Sequence, residues 1–166
     1  IARAAKFLNA KLKRGPAFGG ASTPAFAPPQ RLAMAAKLMP ALRGLMTGAR
    51  PKVGHFSDDA EALEFVGSKD FVRLAAIGTS CPDHFLRTKI APLVLDQNKI
   101  EDGEYLTAEI EKYCRGYEDY YIRNAQPGDP LVRDANPVVV LVPGVGRLTF
   151  AADKPTARLA GEFYGN

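Results

Sequence analysis

Pro137-Val138-Val139-Val140-Leu141-Val142-Pro143-Gly144-Val145-Gly146-Arg147-Leu148-Thr149-Phe150 joins five consecutive apolar residues, a Pro-Gly turn and a short alternating run. An unbroken apolar run of this length, bounded by turn residues, fits a strand buried on both faces. Arg147 to Phe150 alternates as its partner strand, and Asp153 caps a final helix with apolar positions at Ala157, Ala160 and Phe163. Gly144-Val145-Gly146 invites comparison with a dinucleotide-binding turn. The third glycine of that fingerprint would fall at Thr149, and a strand follows where a helix N-terminus should face the pyrophosphate. The turn therefore predicts a hairpin.

Upstream, Leu106, Ile110, Tyr113, Tyr117 and Tyr120-Tyr121 recur at helical spacing through residues 104–124, with charged residues on the other faces. This reads as a helix docked on a sheet, its tyrosine hydroxyls reaching the rim of the core. Asp102-Gly103 marks a turn before it, and Pro92 to Leu95 a short apolar strand. Shorter helices are expected over Asp83–Lys89 after Pro82, over Asp70–Ile77 up to Gly78, and from Asp58-Asp59 to Gly67, where Glu61 completes a capping-box variant. Lys52 to Phe56 can form a strand. Residues 30–47 carry a helical pattern ended by Gly48, and Pro40 inside it predicts a kink or two shorter helices. Gly15 to Pro29, rich in Gly, Ala and Pro, reads as a linker or extended strap that Phe18 and Phe26 could hold to an apolar surface. It follows a basic helix over residues 3–14. Helices alternating with few short strands predict an α/β fold, a small mixed or antiparallel sheet flanked by helices. The organisation expected is a basic helix and linker over 1–29 and an α/β domain over 30–166.

The formal net charge of +4 is unevenly spread: residues 1–57 hold ten Lys or Arg and no acid, and the remainder twelve against eighteen acids. Such an arm suits an acidic face of the same protein or of a neighbouring subunit. It lacks the aromatic interleaving that favours nucleic acid. No apolar run approaches the roughly 18–20 residues of a membrane helix, and no secretory apolar segment follows the basic start. Cys81 and Cys114 stand far apart and read as reduced thiols of a cytoplasmic protein. Neither Ile1 nor Asn166 resembles a natural terminus, so a segment of a longer polypeptide is expected.

Only His55 and His84 are available as imidazole ligands, and neither belongs to a short-spaced ligand pair. None of the six tyrosines precedes a lysine by four residues, the spacing a short-chain dehydrogenase uses. The densest polar cluster is Thr79-Ser80-Cys81-Pro82-Asp83-His84-Phe85-Leu86-Arg87-Thr88-Lys89. It reads either as a capped helix with a local Asp83–Arg87 pair or as an anion site. In the second reading Arg87, Lys89 and the amides around Cys81–Asp83 meet a phosphate or carboxylate, with His84 alongside. A Cys81–His84 nucleophile pair lacks an orienting third group, although a helix N-terminus would lower the pKa of that thiol.

That cluster from Gly78 to Lys89, together with Pro137 to Gly146 continued by Phe150, Asp153-Lys154 and Thr156-Ala157-Arg158, resembles the middle region of the bifunctional rhamnulose-1-phosphate aldolase/short-chain dehydrogenase family. The resemblance covers roughly residues 45–166 and is looser before them. It implies a class II aldolase/adducin-type part before this segment and a Rossmann dehydrogenase part after it. The parent would use NAD(P) and a divalent metal such as zinc, with metal histidines upstream, dinucleotide glycines and the Tyr/Lys pair downstream, and no complete site in between. It further implies that residues 138–164 are the closing unit of a degenerate class II aldolase-like half, with Pro143-Gly144 where an Asn-His-Gly turn would deliver a zinc ligand. The implied partners are the flanking domains, a second copy of the chain in a homo-oligomer and an anionic small molecule. A reading from another class is a non-catalytic scaffold or oligomerisation module.

Overall fold

The computed structural model describes residues 2–12, 15–46, 50–79 and 81–165. Its centre is a four-stranded mixed sheet in the order β1-β4-β3-β2. The expected hairpin forms: β3 (Val139–Val142) and β4 (Gly146–Ala151) pair antiparallel, Val139 opposite Thr149 and Leu141 opposite Arg147. On the outer side of β4 lies β1 (Val53–Ser57), antiparallel, with His55 opposite Thr149 and Ser57 opposite Arg147. Beyond β3 lies β2 (Leu93–Val94), parallel to it. Every residue of β3 is buried.

The pleat sends alternate residues to two separate cores. Val140, Val142, Leu148 and Phe150 pack with Leu38, Leu42 and Met46 of the α2 (Pro28–Leu45) region and with Leu106 and Ile110 of α6 (Gly103–Asn124). Val139 and Leu141 face the other way, to Val66 of α3 (Ala60–Val66), Ala75 of α4 (Phe71–Ile77) and Tyr164 of α7 (Lys154–Gly165). The short α5 (Pro82–Thr88) packs on α7. Helices therefore cover both faces of the sheet, and the polar members of β4 are not wet: Arg147 and Thr149 are buried under α7, where Thr149 Oγ1 donates to the Ala157 carbonyl at 2.6 Å.

Three local expectations change. The 30–47 pattern forms one helix, α2, which begins at Pro28 and continues through Pro40. Pro40 is exposed, so the carbonyl deprived of its amide partner can turn to water. Gly48, the expected stop, lies outside the described residues. Asp59, not Asp58, caps α3 by accepting from Ala62 N at 2.8 Å. That cap position puts Glu61 one place too early to close a capping box, and Asp58 instead pairs with Arg31 at 2.9 Å. Asp102 and Gly103 start α6 directly, the Asp102 carboxylate accepting from Glu104 N and Tyr105 N.

The Pro/Gly-rich strap is held down. Ser22 N and Thr23 N both donate to the Gly67 carbonyl, Ala21 bridges Ser68, and Phe26 N donates to the Gly144 carbonyl at 2.9 Å. Phe26 packs against the core on the α2 side. By contrast α1 (Ala2–Lys11) buries no residue. Among the described residues no helix is long and apolar enough to cross a membrane.

Candidate functional site

The register that pairs Arg147 with Ser57 and Leu141 aims its side chain at α7 and α3. Arg147 is only 8% exposed. Two glycines one turn apart on α7 face the guanidinium: a Cβ on Gly161 would make ordinary contact at 3.5 Å from Arg147 Nε, whereas one on Gly165 would crowd Nη1 at 3.0 Å. Asp59 Oδ2 stands 3.5 Å from Nη2, and Nε is buried without a hydrogen-bond partner. Burial lowers the Arg147 pKa, with Asp59, Tyr164 and Glu61 acting the other way. The neighbouring Tyr164 phenol is pushed up to about 12 by burial. The Asp59 carboxyl is held below its usual range, first by the Ser57 hydroxyl and then by the Ala62 amide. Its charge is thus already shared among donors other than Arg147.

Beside this arginine opens a cavity of about 520 Å³, mostly apolar, between α3, α7 and the α4–α5 connection. Phe18, Phe65, Phe163 and Tyr164 line it, with Phe65 edge-on to Phe18 at 5.2 Å and to Tyr164 at 6.4 Å. Exposed Glu61 and Glu64 also contribute to its lining. Of the three residues expected to meet an anion, His84 lines this cavity, its ring edge-on to Phe163 at 5.5 Å. Arg87 and Lys89 do not. Arg87 is exposed on α5, and no Asp83–Arg87 ion pair forms among the described residues.

Lys89 ends α5 at φ 62° and turns towards α6, its Nζ donating to the Asp134 carbonyl and lying 4.1 Å from the Tyr117 ring centroid. Burial draws its pKa down to about 8, Asp134 opposing and Lys52 adding to the shift. Lys52 is ion-paired with the Asp134 carboxylate. Nearby, burial raises the Cys114 thiol, and Tyr113 donates to the Ala91 carbonyl at 2.7 Å. Ser80 lies outside the described residues.

The sequence does not single out Arg147, Asp59 or Tyr164: Arg147 reads as a polar position of an alternating strand and Asp59 as the neighbour of the expected cap. The signal was a basic residue in a strand beside Gly161 and Gly165 at i, i+4 on the helix that follows.

The metal and nucleotide expected of the parent can be tested against this donor set. The hairpin turn offers Pro143, Gly144, Val145 and Gly146, none with a ligating side chain. His55 Nδ1 is 3.0 Å from Lys154 Nζ, and its pKa is lowered by burial, then by Lys154, Arg147 and Arg158, a cationic setting adverse to a divalent ion. Among the described residues no three His, Cys, Asp or Glu are grouped to hold a metal. A pyrophosphate cannot approach Gly144 either, because a Cβ there would already meet Pro24 O at 2.9 Å and Phe26 at 3.2 Å. These residues fit neither group.

A small mixed sheet with a buried hairpin, helices on both faces and a closing helix over the hairpin defines the class. The chain belongs to the family described as aldolase class II, second domain, whose model matches residues 33–166. It is also similar to the uncharacterized oxidoreductase YuxG of Bacillus subtilis (strain 168), with 29% identity over 169 residues, covering 99% of this chain and 24% of that protein. The chain thus spans about a quarter of that curated relative's length. No solved structure matches it.

Proposed function

We propose that this chain is the central portion of a bifunctional enzyme, a sugar-phosphate aldolase fused to a short-chain dehydrogenase, acting on a deoxysugar or its phosphate. One observation carries the reading: a class II aldolase second domain matches within a chain that spans 24% of an oxidoreductase-named relative. One polypeptide of that length has room for both activities. In this reading the segment positions the two catalytic ends, and the zinc and NAD(P) belong to the flanking parts. The assembly is a cytoplasmic homo-oligomer.

The test is to purify the product of the full reading frame and assay aldol cleavage of rhamnulose 1-phosphate and NAD(P)-linked oxidation of the resulting aldehyde. Both activities are expected, in a protein retaining a divalent metal. A product with neither activity would sink the proposal. A second reading, an oligomerisation module, is favoured by α1, where Phe7, Leu8 and Lys11 run along an exposed helix. Inorganic phosphate binding that is weakened by Arg87→Ala or His84→Ala supports the enzyme reading. Unchanged binding, with self-association that depends on residues 1–57, supports the module.

A further inference from the structure

The cavity beside Arg147 shares only His84 with the readings above, and three of its properties point to an occupant. The first is an under-partnered cation. A buried guanidinium normally finds acceptors for most of its five N–H groups, whereas among the described residues Arg147 has one polar contact, at 3.5 Å, with an already shared carboxylate, and an orphaned Nε. The second is the close approach of α7 to the end of that cation, where a Cβ on Gly165 would crowd Nη1 at 3.0 Å and glycine leaves it room. The third is an open space of about 520 Å³ walled by aromatic rings, large enough for a small organic molecule.

We propose that this cavity binds a small monocarboxylate, its carboxylate on the Arg147 guanidinium and its apolar body against Phe65, Phe163 and Tyr164. A planar carboxylate matches the guanidinium fork with two parallel hydrogen bonds. Charge selects against phosphate: Asp59 and Glu61 act on the one arginine and Glu64 lines the same cavity, so a dianion would meet more repulsion than a monoanion. The lining, more apolar than polar, selects for a hydrocarbon or aromatic body over a polyol. His84 stands on the same wall as Phe163. This proposal does not depend on the sugar-phosphate reading, and the chain itself suffices to test it.

The probe is sodium benzoate, titrated into the 166-residue chain and followed by calorimetry and by amide chemical shifts. Saturable binding is expected, with shifts centred on Phe65, Gly161, Phe163 and Gly165. Benzyl alcohol, which has the ring but no charge, and inorganic phosphate should each bind at least roughly tenfold more weakly. Arg147→Lys keeps the charge but loses the fork, and should weaken benzoate by about tenfold or more. Should that variant fail to fold, Thr79→Phe decides the matter: Thr79 lines the cavity from a connection, and a phenyl group there occupies the space while leaving Arg147 in place. It should abolish the benzoate shifts. Equal binding of benzoate and benzyl alcohol, phosphate binding more tightly than benzoate, shifts centred elsewhere, or benzoate affinity unchanged by Thr79→Phe would each overturn the assignment.

Discussion

Gly144 stands at φ 70° with its carbonyl accepting from Phe26 N, and the backbone oxygen of Pro24 occupies the space a side chain would need. Both facts bear on Gly144→Ala. An L-residue at positive φ costs about 1–2 kcal/mol, and overpacking against main chain about 1–3 more. Urea unfolding should therefore show a loss of about 2–5 kcal/mol; a loss near zero would mean the strap over the hairpin yields freely. His55 makes a second prediction, in pH. Burial and the charges of Lys154, Arg147 and Arg158 lower its pKa below the ordinary 6.5, with Glu162 opposing. The unfolded chain then binds the proton more readily than the folded one. The corresponding stability is complete above pH 6.5 and is lost as pH falls from there through the lowered folded-state value. The urea midpoint of the native protein should decline between pH 7.5 and pH 5, and that of His55→Gln should decline less. Identical slopes would remove His55 as the sensor.

At the scale of the element, α2 runs unbroken through Pro40 because the proline faces solvent while Leu38 and Leu42, two positions to either side, are buried. The apolar face holds the helix against the sheet, and the missing amide bond is tolerated rather than compensated. Pro40→Ala should restore that bond and raise stability by about 1–3 kcal/mol on thermal or urea unfolding; a decrease would show that the proline sets the helix direction needed for packing. The same contrast explains what could be read beforehand. The β3–β4 hairpin and α6 were legible because a continuous apolar run and a helical stripe are local signals. The three-layer packing follows from them less directly. Arg147 illustrates the limit: alternation in β4 says that one face is polar, but not that α7 covers it, with Gly165 close against Nη1 across the layer. Lys89 is the converse case. It shares a short helix with His84 in sequence, yet a C-terminal residue at φ 62° sends its side chain to α6 while His84 faces the cavity.

For the whole molecule, the question is where the independently stable unit begins, and the N-terminal 29 residues divide on physical grounds. No residue of α1 is buried, and Phe7, Leu8 and Leu12 are each more than 60% exposed, so this helix adds little to the stability of the chain by itself. The strap behaves differently. Lys69 N donates to the Gly20 carbonyl and Asp70 N to that of Phe18, Ser22 N and Thr23 N reach Gly67, and Phe26 joins the core and meets Gly144, so one short segment ties the α3–α4 connection to the hairpin turn. Ala27 then starts α2, its amide donating to Gln30 Oε1 at 3.1 Å, and Arg31 clamps the exit by bonding both the Phe26 carbonyl and Asp58. Two truncations separate these contributions. Removing residues 1–14 should change the unfolding free energy by no more than about 0.5 kcal/mol, as for surface changes that touch no core. Removing residues 1–27 strips several backbone bonds and a partly buried ring, and should cost about 3 kcal/mol or more. Chemical denaturation of the two shortened chains distinguishes the outcomes. Equal stability would make the strap a passive linker, whereas the expected loss confined to the longer deletion places the start of the folded unit within the strap, upstream of α2.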